Sequence, residues 1–112
     1  MRMWMVNPKL MCSQHLRGEH LETHMMAGSI KKGISVKGYI AKGLMEPHNI
    51  RKRHDEVVKE LLERGRFNHQ KPFPEFVPFE DGCINAEENV KELARRCERC
   101  KKRQEEYYGK GE

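Results

Sequence analysis

Three prolines and four phenylalanines crowd residues 66–83 (Pro72, Pro74 and Pro78; Phe67, Phe73, Phe76 and Phe79). No regular helix tolerates prolines at that density, because each removes a backbone N–H and clashes with the preceding turn. The phenylalanines favour burial, so the segment is expected to lie as an ordered strap over a core. Helices are left to the stretches on either side. Residues 47–64 place Ile50, His54, Val57 and Leu61 on one stripe and turn Lys52, Lys59 and Glu63 outward, with Gly65 as the stop. A further helix is expected from Asn85, with Glu88 as its capping partner and Val90, Leu93, Ala94 and Cys97 as its apolar stripe. The first helix starts at Asn7-Pro8 or nearer Ser13 and runs past Met26 towards Lys32, with Gly33 ending it. Residues 37–46, with Gly38 and Gly43 and no clear period, read as a connection. The expected fold is therefore all-α: one compact domain, residues 1–112, of three main helices with an extended Pro/Phe-rich connection.

At 112 residues there is room for one modest core. No apolar run approaches the roughly 20 residues that a membrane span needs. Residues 1–6 are too short for a signal peptide, so the cytoplasm is the expected compartment. The formal charge is +5, but its distribution says more. Residues 1–53 hold ten basic and three acidic side chains, a balance of +7, and the remainder is −2. A positive field confined to one half is the footprint of a polyanion-binding face. Its basic runs are Lys31-Lys32 and Arg51-Lys52-Arg53, and the tyrosine pair Tyr107-Tyr108 offers rings on which bases can stack.

His15, Glu19 and Glu22 are spaced by four and three, within about 60° of one another on a helix, with Leu10, Leu21 and Met25 as an apolar stripe to one side. A solvated polar face explains that spacing. Carboxylates oppose phosphate binding, however, and their place in the most basic part of the chain points to a chemical use. His20 and His24 lie one turn apart but lack the H-E-x-x-H order, so no catalytic metal is expected from them. Cys97-x-x-Cys100 is compatible with half a zinc site completed by Cys83, Cys12 or a histidine, and a disulfide is a further option. Because Cys97 belongs to an apolar stripe, the favoured reading is a buried free thiol acting as a small hydrophobe.

Taken together, these residues resemble the phage-type pyrimidine dimer DNA glycosylases, the endonuclease V of phage. The likeness runs through Arg2, Gln14-His15-Leu16, Glu19, Glu22, Gly28 and Lys31-Lys32. After a shorter connection it resumes at Ile50-Arg51-Lys52-Arg53, Leu61, Arg64-Gly65 and Phe67-Asn68, and it closes with Tyr107-Tyr108-Gly109-Lys110. The resemblance implies that an N-terminal α-amine, here of Met1, is the nucleophile, that bulky Arg2 keeps Met1 in place, and that Glu22 is the catalytic glutamate. It implies DNA contact by Arg2, Gln14 and His15, with Lys31, Lys32, Arg51, Lys52, Arg53, Tyr107, Tyr108 and Lys110 completing the DNA-binding set. The partner would be damaged double-stranded DNA, met by a monomer without cofactor, and the flipped base would lie opposite the dimer. The family pattern has arginines where this chain has Leu21 and Met25, so the strand must be gripped differently; His20, His24 and Arg17 are candidate substitutes.

The chemistry is coherent. An α-amine titrates near 7.7–8.0 against about 10.4 for lysine, so roughly a tenth to a fifth of it is neutral at pH 7. Such an amine can attack C1′ of the damaged nucleotide, with Glu22 stabilising the developing positive sugar and then shuttling protons for strand scission. Two other readings remain at this stage: a non-catalytic helical nucleic-acid binder, and a zinc-stabilised interaction module.

Overall fold

A computed structural model describes residues 1–65, 67, 72–78 and 81–109. Phe79, Asn68 and Lys110, used in the sequence reading, lie outside the described residues. Among the described residues five helices follow one another: α1 (Ser13–Lys31), α2 (Lys37–Ala41), α3 (Ile50–Arg64), α4 (Ala86–Arg96) and α5 (Glu98–Gly109), with short 3-10 turns at Pro8–Leu10 and Pro47–Asn49. No strand occurs among the described residues. The all-α expectation holds, with four substantial helices where three were expected.

The punctuation acts where the residue types require it. Asn7 caps the first 3-10 turn through the N–H of Lys9, and Asn85 caps α4 through the N–H of Glu88 at 3.1 Å. Gly33 and Gly65 follow α1 and α3 at φ +78° and +80°, a backbone region open to glycine at little cost. Two elements differ from expectation. Residues 37–41 form a short helix, ended by Gly43 at φ +70°. The last helical stretch breaks at Cys97, which is extended (φ −139°, ψ 114°), so its two halves become α4 and α5.

The α3 stripe is buried as its periodicity requires: Ile50, His54, Val57 and Leu61 all face inward. On α1 the buried face is Leu16, Glu19, Thr23, Met26, Ala27 and Ile30, while Leu21 and Met25 are exposed. The expected Leu21–Met25 stripe is thus corrected, because a carboxylate, Glu19, occupies the core side of the helix. It is satisfied there. Arg53 of α3 forms a two-pronged ion pair with it at 2.7 and 2.8 Å, both side chains being about 1% exposed. The backbone N–H groups of Trp4 and Met5 also donate to Glu19, at 2.9 and 3.4 Å. Met5 adopts φ +55°, which lets two successive N–H groups converge on one oxygen in the manner of an anion-binding nest.

This carboxylate therefore fastens the extended N-terminal segment to both long helices. Met3 adds a backbone bond to Leu44 at 2.8 Å, and Asn89 of α4 donates to the Trp4 carbonyl at 2.8 Å. Met3 enters a cluster with Met26, Met45 and Ile50, while Trp4 and Val6 enter another with Leu16, Val57 and Leu93. The 3-10 turn at Pro8–Leu10 is clamped to α3 by Arg64, which bonds Glu60, Ser13 and the Pro8 carbonyl.

Removing one member of a buried ion pair strands the other, so Glu19→Ala and Arg53→Met should each cost about 3–5 kcal/mol in chemical denaturation. Joining Arg53→Met with Glu19→Leu should recover only part of that loss, because the Trp4 and Met5 N–H groups would still lack an acceptor. Full recovery in the double variant would show that the two N–H bonds contribute nothing.

Candidate active site

Glu22 sits one turn beyond Glu19 on α1, rotated about 60° from it. The N-terminal segment that Glu19 holds runs past it, so an open cleft forms with Met1, Arg2 and Trp4 on one wall and Gln14, Gly18 and Glu22 on another. Arg96, at the end of α4, and His15 close the remaining sides. The cleft encloses about 480 Å³, within the roughly 300–1,000 Å³ usual for ligand pockets.

Its electrostatics centre on Glu22. Burial pushes the carboxyl above its ordinary value of 4.5, and nearby Glu19 adds to that; the terminal ammonium, the Arg2 N–H and the Arg2 charge pull the other way without cancelling it. The first amino group of the chain thus lies within electrostatic reach of Glu22. Arg2 is half-buried: its guanidinium stacks 3.8 Å from the Trp4 ring and donates to Asn89 at 2.7 Å, while its Nε has no partner. Desolvation first, then the Arg96 charge, holds its pKa below the usual guanidinium range. His15 is lowered by burial, lies edge-on to Trp4, and turns Nδ1 towards the sulfurs of Cys12 and Cys100. Gln14 is exposed and accepts from Arg99.

Of the residues singled out from sequence, Met1, Arg2, Gln14, His15 and Glu22 meet in this cleft. Glu19 lines it as well, and the remaining described members of the DNA-contact set do not. Lys31 and Lys32 are exposed, about 13 Å farther along α1 by helical rise. Arg51 and Lys52 are exposed on α3, with Arg51 near Glu75 and the Phe73 ring. Tyr107 and Tyr108 are exposed at the end of α5, with Tyr107 bonded to Asn7. Arg53 is a correction: its guanidinium is buried against Glu19, where no phosphate can reach it.

His20 and His24 turn towards α3 instead of the cleft. His24 and His54 are joined at 3.1 Å, and the three imidazoles pack under Phe67 and Phe73. Buried His24 is thereby removed as a substitute for the arginines absent at Leu21 and Met25. Arg96 and Trp4 are cleft residues that sequence reasoning missed. A single tryptophan beside the N-terminus was the available signal for one. Nothing marks Arg96 apart from its neighbour Arg95 until α4 packs.

With this geometry in view, the comparison with known proteins is specific. The family profile for pyrimidine dimer DNA glycosylase matches residues 1–75, about two thirds of the chain and the part that supplies every cleft residue except Arg96. The molecule is thus a DNA-repair glycosylase by class. The chain belongs to the pyrimidine dimer DNA glycosylase family. No curated protein and no solved structure matches it.

The raised Glu22 has a thermodynamic signature. A carboxyl whose folded pKa exceeds its unfolded value destabilises the fold while ionised; the cost is complete above the folded pKa and vanishes below the unfolded one. Glu22→Gln should therefore melt higher than the parent at neutral pH, with the difference fading as pH falls towards 4.5 and below. Equal melting temperatures across that range would contradict the assigned burial.

Proposed function

We propose that this chain excises pyrimidine dimers with its own N-terminal amine and then nicks the strand. The amine lone pair of Met1 attacks C1′, the glycosidic bond breaks, and its electrons leave on the base, which takes up a proton. Ring opening yields an imine between Met1 and the sugar. Removal of a C2′ proton then drives β-elimination, expelling the 3′ phosphate. Glu22 stabilises the cationic sugar as a carboxylate and carries the protons between these steps. Its burial suits the second task, since a raised pKa brings both protonation states nearer the working pH.

The observation that carries this reading is the sharing of one cleft by Met1 and Glu22 in a chain of this family. Arg2 and Arg96 line the cleft with the carboxylate and take over the phosphate grip that Leu21 and Met25 cannot provide. Lys31, Lys32, Arg51 and Lys52 extend it outside the cleft; Gln14 and His15 position the strand. Tyr107 and Tyr108 offer stacking surfaces.

Borohydride reduction on a dimer-containing duplex should trap a covalent adduct that maps to Met1. Glu22→Gln should reduce excision by at least about 100-fold, the usual scale of general acid–base assistance. An adduct on a lysine would overturn the nucleophile, and full cleavage by Glu22→Gln would overturn the carboxylate's role. Salt-sensitive binding with no adduct would favour the second reading, a binder without chemistry, which the apolar Leu21 and Met25 at the family's arginine positions make worth testing. Arg96→Ala should weaken binding uniformly across sequences and lower the salt slope by about one.

A further inference from the structure

Cys12 and Cys100 are packed in the core as the small hydrophobes that the sequence suggests, with Cys97 against them, and they also converge on a histidine. Cys12, His15, Cys97 and Cys100 bring three sulfurs and an imidazole nitrogen within 4.8 Å of one another. The separations are 3.9 Å between the sulfurs of Cys12 and Cys97, and 3.2 and 3.6 Å from His15 Nδ1 to the sulfurs of Cys12 and Cys100. Zn–S bonds of about 2.3 Å and Zn–N bonds of 2.0–2.1 Å in a tetrahedron require edges of roughly 3.8 Å (S···S) and 3.5 Å (S···N). The three separations given lie within about 0.3 Å of those edges, and the remaining three are within 4.8 Å. All three cysteines are free thiols.

The backbone is arranged to the same end twice. Cys12 is the N-cap of α1 and His15 stands three residues on; Cys97 directly precedes α5 and Cys100 stands three residues on. Two helix N-termini thus converge on one point, with partial positive charge that favours thiolates. The Cys12 N–H donates to the Cys100 sulfur at 3.3 Å and the His15 N–H to the Cys12 sulfur at 3.5 Å. The break between α4 and α5 is otherwise unexplained: Arg95-Arg96-Cys97-Glu98 contains neither glycine nor proline, and a continuous helix would keep its hydrogen bonds. An extended Cys97 is what turns its sulfur towards Cys12.

We infer that Cys12, His15, Cys97 and Cys100 form a structural zinc site that ties α5 to the start of α1. Soft sulfur with one imidazole in a tetrahedron selects zinc among common divalent ions, and four protein ligands leave no position for substrate. Metal on Nδ1 of His15 fixes the ring proton on Nε2 and locks the ring beside Trp4, on which Arg2 stacks. The zinc thereby braces the cleft wall opposite Glu22 without taking part in the reaction. Two of its ligands lie beyond residue 75, where the family match ends.

The full-length protein, purified under reducing conditions and dialysed, should contain one zinc per chain by mass spectrometry of the elements. Cys97→Ser should lose it and Cys83→Ser, altered at an exposed cysteine outside the cluster, should keep it. Because Cys97→Ser can also fail to fold, cobalt is loaded in parallel into the unaltered sequence. Thiolate-to-cobalt charge-transfer bands with intense tetrahedral visible bands support the assignment; weak octahedral bands overturn it. Metal-free protein that takes up no zinc on titration overturns it as well. So does zinc that survives Cys97→Ser but is lost from His24→Ala, which would assign the ion to the histidine trio. None of these outcomes depends on the glycosylase chemistry.

Discussion

A single buried carboxylate holds the molecule in register. Glu19 lies inside α1's core face, where an isolated charge would cost several kcal/mol, and it is stable there because four donors from two parts of the chain converge on it. Arg53 brings α3, and Trp4 with Met5 brings the N-terminal segment. Once Trp4 is fixed, Arg2 and Met1 have few places left to go, and Glu22 is one turn away on the same helix. The placement of the first residue thus follows from core electrostatics together with the packing of Met1 against the Met3, Met26 and Met45 cluster. Hydrogen-bonded charge suits that task better than apolar packing, because its geometry is directional and tolerates little sliding.

That dependence also explains which parts of the fold were legible in sequence. The α3 stripe of Ile50, His54, Val57 and Leu61 and the caps at Asn85 and Gly65 follow from local periodicity and local hydrogen bonding, and the structure keeps them. The face of α1 does not follow from periodicity, since the pattern counts Glu19 as solvated and Leu21 and Met25 as apolar. Only a partner 34 residues away reverses that count. The same partner removes Arg53 from a basic run in which it looks no different from Arg51 and Lys52. Met1, Arg2, Gln14, His15 and Glu22 were grouped from the family likeness, and they do share a cleft. Arg96 was not legible, because its place depends on α4 stopping at Cys97.

The cleft brings opposed demands together. A groove that attracts phosphates gains from every cation, and Glu22 works against that gain while also losing hydration. Its neighbours show the compromise: Arg2 is itself desolvated and pressed by Arg96, so its charge is held in place by Trp4 stacking and Asn89 rather than by water. Residues held against their own solvation in this way are where stability gives way to function. Relaxing Glu22 to a neutral amide would ease the strain and, on the proposed mechanism, remove the group that answers a positive sugar.

The break at Cys97 links these two levels. A continuous last helix would carry its C-terminal half away along the α4 axis, leaving the sulfurs of Cys97 and Cys100 far from Cys12. Bending there returns α5 across the 3-10 turn at Pro8–Leu10, where Arg103 meets the Lys9 carbonyl, and leaves Arg96 as the last helical residue before the bend, facing the cleft. The end of α4 therefore presents a cation to the cleft, where the proposed function needs one in place of those absent at Leu21 and Met25, and places two of the inferred metal ligands. Both results come from one backbone feature that neither glycine nor proline announces, and a metal at the inferred site, drawing Cys97 towards Cys12, would supply free energy that holds such a bend.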